Sequence, residues 1–145
     1  MPKIIISEYD ITNFGKVTRD LNSLHFDPEF AKTTILKGVV AHGLFLLCRL
    51  PGILHEVNFW DKSIEALTEA SVQFKRPVRA GDTLSYHMCV KNKKLCQRDP
   101  MMDEVGFTFA AYNQTDVLVG IGTCTVLMRI KPPSKYISME QISGL

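Results

Sequence analysis

Cysteine motifs are missing from this sequence of 145 residues. It contains no Cys-x-x-Cys pair, and no cysteine is paired with a histidine at the spacing of a zinc site. A chain of this length buries roughly two-thirds of its unfolded surface, so its core needs neither a disulfide nor a metal. We therefore expect reduced thiols and no metal site. The cysteines are Cys48, Cys89, Cys96 and Cys124.

An excess of charge of one sign is also missing. Seventeen basic and fifteen acidic residues leave a net charge of +2, which provides no basic surface for nucleic acid. The hydrophobic fraction of 46% is too high for a disordered chain, and the mean hydropathy of +0.03 is slightly apolar. We therefore expect no nucleic-acid partner, and the apolar excess indicates a buried element or an association surface.

No hydrophobic run is long enough to cross a membrane. The most apolar stretch, residues 39–54, is interrupted by His42, Arg49 and Pro51, whereas a spanning helix needs roughly 20 apolar residues. The first residues have neither the apolar core nor the cleavage site of a secretory signal. The sequence thus predicts a soluble, cytoplasmic protein with no membrane partner and one domain over residues 1–145.

Helical patterns dominate the first half of the chain. A strand is predicted over Lys3 to Glu8, followed by a helix capped by Asp10, and Asp27-Pro28 indicates a turn or a second helix start. Residues 44–50 are apolar except for one arginine, which predicts a helix that is buried on every side. Pro51-Gly52 is expected to end or kink this helix.

Alternating patterns replace the helical ones in the second half. A polar loop at the sheet edge is predicted over 93–103, and the residues after Ile130 remain unassigned. Strands segregated from helices indicate an α+β fold, here a curved antiparallel sheet wrapped around the central buried helix. Its partly exposed face and edges favour pairing with a second copy. The strands predicted in this half are 71–75, 83–91, 105–111 and 117–130.

Asp20 and His25 form the most informative pair of polar residues. They are five residues apart in a short segment, and a turn there could bring carboxylate and imidazole onto one water for acid–base catalysis. Gly43 begins the apolar helix, where free N–H groups can stabilise a developing oxyanion. His25, Asp27 and His42 are an alternative metal site, but their spacing has no zinc signature.

These residues belong to a longer pattern that resembles the hydratase-2 motif of the MaoC-like (R)-specific enoyl-CoA hydratases and dehydratases, which have the hotdog fold. A second stretch, where one strand ends and the next begins, is similar to that family's other landmark. The first stretch reads Asp20-x-Asn22-x-Leu24-His25-x-Asp27-Pro28, with Ala31 downstream and His42-Gly43 before the helix. The second reads Phe74-x-x-Pro77-Val78-x-x-Gly81-Asp82-Thr83-Leu84.

The resemblance implies a role for each matching position. Asp20 and His25 would activate the water that attacks the third carbon of a trans-2-enoyl thioester. Asn22 would orient the loop or the pair, and the N–H of Gly43 would bind the thioester carbonyl. The resemblance further implies a homodimer, no metal or redox cofactor, and an acyl thioester substrate carried on coenzyme A or acyl carrier protein.

Two positions depart from the family pattern. Arg19 stands where glycine usually precedes the aspartate, and Ser23 stands where proline usually follows the asparagine. If the first position requires a positive φ, Arg19 is strained there. Two alternatives stay open: a non-catalytic subunit that binds acyl thioesters, and a hotdog thioesterase, although residues 44–50 offer no carboxylate for the latter.

A small basic cluster lies near the predicted turn between the second and third strands. It consists of Lys75, Arg76 and Arg79. A solvated face is the first interpretation of such a cluster, and phosphate contact with coenzyme A or a carrier protein is the second.

Overall fold

A short strand begins the described chain, helical segments follow it, and four long strands make up the second half. The computed structural model describes residues 3–56 and 63–130. The strands pair antiparallel into one sheet with the order β1-β3-β4-β5-β2, which confirms the predicted α+β class. The elements in chain order are β1 (Lys3–Ile5), α1 (Glu8–Thr18), a 3-10 helix (Ser23–His25), α2 (Pro28–Thr33), α3 (Gly43–Glu56), β2 (Ile64–Phe74), β3 (Thr83–Leu95), β4 (Met102–Tyr112) and β5 (Leu118–Arg129).

The core lies between α3 and the sheet. The alternation predicted for β4 is confirmed, since all four of its predicted inward residues are buried. Tyr86 of β3 joins the two layers by donating its hydroxyl to the carbonyl of Leu46 at 2.9 Å. Burial raises the pKa of the Tyr86 phenol, which therefore stays protonated as the donor. The buried side chains of α3 are Phe45, Leu46, Leu50, Ile53 and Leu54, and those of β4 include Val105, Phe107, Phe109 and Ala111.

The prediction that α3 is buried on every side is wrong for the single chain. Leu44 is 57% exposed and Cys48 is also exposed, because the sheet covers only one side of the helix. The helix also continues through Pro51 to Glu56 instead of ending there; the proline removes one hydrogen-bond donor to the preceding turn. No helix in the described ranges is long and apolar enough to cross a bilayer.

The start of α1 lies earlier than predicted. β1 ends at Ile5 and Ser7, not Asp10, is the N-cap residue. The Ser7 hydroxyl accepts a hydrogen bond from the Asp10 N–H at 3.1 Å, and the Asp10 carboxylate accepts one from the Ser7 N–H at 2.9 Å. Asp10 thus takes part in a capping box from inside the first turn.

The predicted polar loop over 93–103 is mostly a β-hairpin. β3 continues to Leu95 and β4 begins at Met102. Lys93 pairs with Asp103 at 2.7 Å and Lys94 with Glu104 at 2.8 Å across the two strands, so the polar sequence reflects cross-strand ion pairs. β2 is likewise longer than predicted, starting at residue 64. The tail after Ile130 lies outside the described residues.

Arg19 ends α1 in the left-handed conformation, with φ +60° and ψ +19°. This backbone is unfavourable for residues with a Cβ by about 1–2 kcal/mol, while glycine adopts it freely. We expect Arg19→Gly to raise the free energy of unfolding by about 0.5–1 kcal/mol, after the larger chain entropy of glycine is counted. Urea denaturation would measure it, with Lys16→Gly inside the helix as the destabilising control. An unchanged or lower midpoint for Arg19→Gly would contradict the prediction.

Candidate active site

The loop that follows α1 is held by short-range hydrogen bonds. The Asn22 side chain accepts from the N–H of Leu24 at 3.0 Å and caps the 3-10 helix that carries His25. The Asn22 N–H in turn donates to the Asp20 carboxylate at 3.4 Å. Asn22 therefore orders the loop that positions both residues, and its side chain itself points into the local turn.

His25 is half-buried and its tautomer is set by the backbone. Its Nδ1 lies 2.8 Å from the carbonyl oxygen of Val40. Because a carbonyl only accepts, Nδ1 carries the hydrogen and Nε2 keeps the lone pair of a base. Asp20 is exposed, and one of its carboxylate oxygens lies within 4.8 Å of a ring nitrogen of His25. That separation can be bridged by a single water.

His42 touches both of these residues. Its ring stacks on His25 with centroids 3.7 Å apart and planes 25° apart. Its Nε2 donates to the Asp20 carbonyl at 3.0 Å, while its Nδ1 is buried and has no hydrogen-bond partner within the described chain. The sequence analysis noted His42 in the motif and as a metal candidate but did not predict its contacts with both Asp20 and His25. The position of His42 directly before Gly43 was the feature of the sequence that could have indicated a role at the site.

The metal-ligating potential of this cluster follows from its geometry. One ligand atom each from Asp20, His25 and His42 lies within 4.8 Å of the others. A metal ion, however, binds an imidazole nitrogen in the plane of the ring. The stacked rings of His25 and His42 lie in two nearly parallel planes, so their nitrogen lone pairs do not point to one ion. Asp27, the third residue of the predicted metal alternative, instead caps α2 by accepting from the N–H groups of Glu29 and Phe30 at 2.9 and 3.0 Å.

Gly43 lies beside His25 on a shared cavity of about 330 Å³. As the first residue of α3, it presents an N–H that has no acceptor within the helix. A Cβ at this position would approach the Phe74 ring to 2.9 Å, so only glycine fits without displacement. The cavity walls are mainly apolar and include Leu24, Leu36, Val40, Leu46, Phe74 and Val78.

The predicted basic cluster is divided between two cavities. Lys75 and Arg76 line the cavity that Gly43 shares with His25. Arg79 lines a second cavity of about 470 Å³, which His25 also borders. The Arg79 guanidinium donates to the carbonyl of Val39 at 2.8 Å and to that of Leu36. Arg79 is thus engaged in holding the loop before His42, because backbone carbonyls occupy its donors.

Solved structures share the fold of this chain. The protein named monoamine oxidase regulatory protein from Archaeoglobus fulgidus superposes with a TM-score of 0.83 at 30% identity, covering 90% of this chain and 87% of that one. The (R)-hydratase from A. caviae involved in PHA biosynthesis superposes with a TM-score of 0.70 at 26% identity, covering 86% and 89%. The fold is therefore the hotdog fold predicted from the sequence.

Sequence comparisons point the same way. The (R)-specific enoyl-CoA hydratase of Rhodospirillum rubrum is 34% identical over 80 residues, which are 55% of this chain and 54% of the relative. The chain spans about half the length of the curated relatives it matches. Residues 1–106 match the family model described as MaoC like domain. Because that match extends over well more than half of the sequence and includes the Asp20 to Gly43 segment, the chain belongs to the MaoC-like domain family.

Proposed function

We propose that this protein adds water to trans-2-enoyl thioesters to give (R)-3-hydroxyacyl thioesters, or catalyses the reverse dehydration. The observation that carries the proposal is the shared cavity of His25 and Gly43, with the Asp20 carboxylate within 4.8 Å of the imidazole. A base and an oxyanion donor thus share one apolar space, and a carboxylate that can hold water lies beside the base. These are the groups that hydration of a conjugated thioester requires.

The proposed reaction begins with the thioester carbonyl at the N–H of Gly43. The Asp20 carboxylate holds a water through one hydrogen while Nε2 of His25 removes the other hydrogen as the oxygen attacks the third carbon. The electron pair of the double bond moves onto the carbonyl oxygen as an enolate, which the Gly43 N–H and the positive end of α3 stabilise. The His25 imidazolium then returns the proton to the second carbon, which restores the carbonyl.

The surroundings of the cavity support a carrier-linked substrate. Lys75 and Arg76 line it, and their positive charges suit the phosphates of coenzyme A or of a phosphopantetheinyl carrier protein. The apolar walls suit an acyl chain. We further propose a homodimer, because β2 is an edge strand and Leu44 and Leu67 are more than half exposed in the single chain.

Hydration of crotonyl-CoA tests the proposed function directly. Purified protein should lower the enoyl thioester absorbance, and chiral analysis of the product should give the (R)-3-hydroxy thioester. Absence of turnover on coenzyme A-linked and carrier-linked enoyl chains, in a protein with an intact circular dichroism spectrum, would contradict it. Release of free thiol from a saturated acyl-CoA would instead indicate a thioesterase, for which residues 43–50 of α3 supply no carboxylate.

Gly43→Ala is expected to lower kcat/KM by about 100-fold, since an added Cβ would approach the Phe74 ring to 2.9 Å and push this ring within the cavity that both residues line. The proposed binding position of the thioester carbonyl beside the Gly43 N–H would then be misplaced. Gly52→Ala is the matched control, because it lies on the same helix with no atom within 4 Å of an added Cβ. The control should retain full activity and equal or higher stability. Initial rates of both variants check this, and a Gly43→Ala enzyme with wild-type kcat/KM would remove the proposed role of Gly43.

We also propose that the reaction uses no metal. The stacked imidazoles of His25 and His42 cannot direct their nitrogens to one ion without rearranging. Extended dialysis against EDTA is therefore expected to leave the hydration rate unchanged. Loss of activity on dialysis and its recovery with a single added divalent ion would contradict this expectation.

A further inference from the structure

We propose that His42 is a positioning residue of the hydration reaction, which holds the base and the carboxylate in one geometry from behind. This inference rests on the proposed function and assigns His42 no contact with the substrate. It is carried by two contacts of one buried side chain, the stack on His25 and the hydrogen bond to the Asp20 carbonyl.

The stack on His25 fixes the plane of the catalytic imidazole. Val40 holds one edge of the His25 ring through Nδ1 at 2.8 Å, but a single hydrogen bond still allows the ring to rotate about that contact. His42 covers one face of the ring at a centroid distance of 3.7 Å. With an edge and a face both held, the Nε2 lone pair of His25 keeps one direction, which reduces the reorganisation needed before proton transfer.

The hydrogen bond to Asp20 fixes the other member of the pair. The Asp20 side chain is exposed, and among the described residues it accepts only one long hydrogen bond, 3.4 Å, from the Asn22 N–H. Its carboxylate therefore depends on the backbone for its position. His42 Nε2 donates to the Asp20 carbonyl at 3.0 Å and so ties the backbone of Asp20 to the ring that covers His25.

The surroundings of His42 show that its imidazole is an unfavourable choice for packing alone. His42 is 2% exposed, and its ring packs near those of Phe14 and Phe26, whose centroids are 5.2 and 6.1 Å away. Its Nδ1 has no hydrogen-bond partner among the described residues, which costs free energy that a buried apolar side chain would avoid. The contacts of His42 with Asp20 and His25 therefore compensate for the free energy that burial of its Nδ1 costs.

Two substitutions separate the two contacts. His42→Phe keeps a ring for the stack and removes the donor to Asp20, whereas His42→Gln keeps an N–H donor and removes the stack. We expect each variant to lower kcat for crotonyl-CoA hydration by about 10- to 100-fold and to change KM less than about 3-fold, because neither contact involves the substrate. Phe109→Leu, a change of a buried β4 side chain outside both cavities, is the control for lost stability and should keep its kcat.

A double-mutant cycle distinguishes positioning from general destabilisation. If the stack acts through His25, His42→Gln, which removes the stack, should lower the residual kcat of a His25→Ala enzyme less than about 2-fold, whereas independent effects would multiply. Fully multiplicative losses, or a wild-type kcat in both His42 variants, would overturn the proposal while leaving the hydratase function in place. An inactive wild-type enzyme would instead contradict the proposed function itself and with it the positioning role.

Discussion

Replacement of His25 by alanine is expected to lower kcat for enoyl thioester hydration by about 1,000-fold. A positioned general base contributes typically about 10²–10⁴-fold, and in the proposed reaction the same imidazole both removes and returns the proton. KM should change little, because the cavity walls and the Gly43 N–H, which are the proposed binding groups for the thioester, remain. Initial rates over a range of crotonyl-CoA concentrations would separate the two parameters.

His87→Ala is the matched control for this loss. His87 is an exposed imidazole on β3 that packs against the Tyr112 ring at 5.3 Å and lines neither cavity. Its removal should leave kcat within about 2-fold of the wild type, as expected for a surface substitution away from the chemistry. A His25→Ala enzyme that retained more than a tenth of the wild-type kcat would argue for a different base, or for a protein that binds thioesters without turning them over.

Replacement of Asp20 by asparagine is expected to lower kcat by about 100- to 1,000-fold. The amide has nearly the same shape as the carboxylate. Its oxygen can still accept the hydrogen bond that the Asn22 N–H donates to the Asp20 carboxylate at 3.4 Å. The substitution therefore removes mainly the negative charge. The neutral amide holds the attacking water less firmly than the carboxylate and no longer stabilises the His25 imidazolium. Circular dichroism should show an unchanged fold, since the hydrogen bond from His42 reaches the backbone of Asp20 and not its side chain.

Asp116→Asn serves as the control for the same chemical change. Asp116 is exposed in the turn between β4 and β5 with φ +58°, a conformation that asparagine adopts well. Activity of this variant should equal that of the wild type. Full activity of Asp20→Asn would exclude the carboxylate from the reaction, and it would favour the alternative in which the chain binds acyl thioesters without catalysis.

The strands were predictable to the extent that burial alternates along them. β4 and β5 were located within three residues at each end. Apolar side chains alternate along β4, and the turn residues 113–116 mark the start of β5. The last residues of β3 and the first residues of β4 were predicted as a loop because they are polar. In the structure these residues form ion pairs across the hairpin, as Lys94 and Glu104 do. Cross-strand pairing of charges has no signature in a single segment.

The helices show a similar division. Asp27-Pro28 marked the start of α2 by local chemistry, and the structure confirms it. For α3, hydrophobicity alone could not show that one side of the helix remains uncovered in the single chain, with Leu44 57% exposed. The extent of burial depends on which layers surround a helix, and that is a property of the tertiary arrangement.

The sequence by itself determined the family, through residues that are close together along the chain. Asp20, Asn22 and His25 stand within six positions, and Gly43 opens the apolar segment, so their types and spacing could be recognised without coordinates. Only the tertiary structure decided that His42 contacts both Asp20 and His25, and that Arg79 lines a different cavity from Lys75 and Arg76. These contacts join residues 17 or more positions apart, and they depend on the path of the whole chain around α2 and the sheet, which no local pattern specifies.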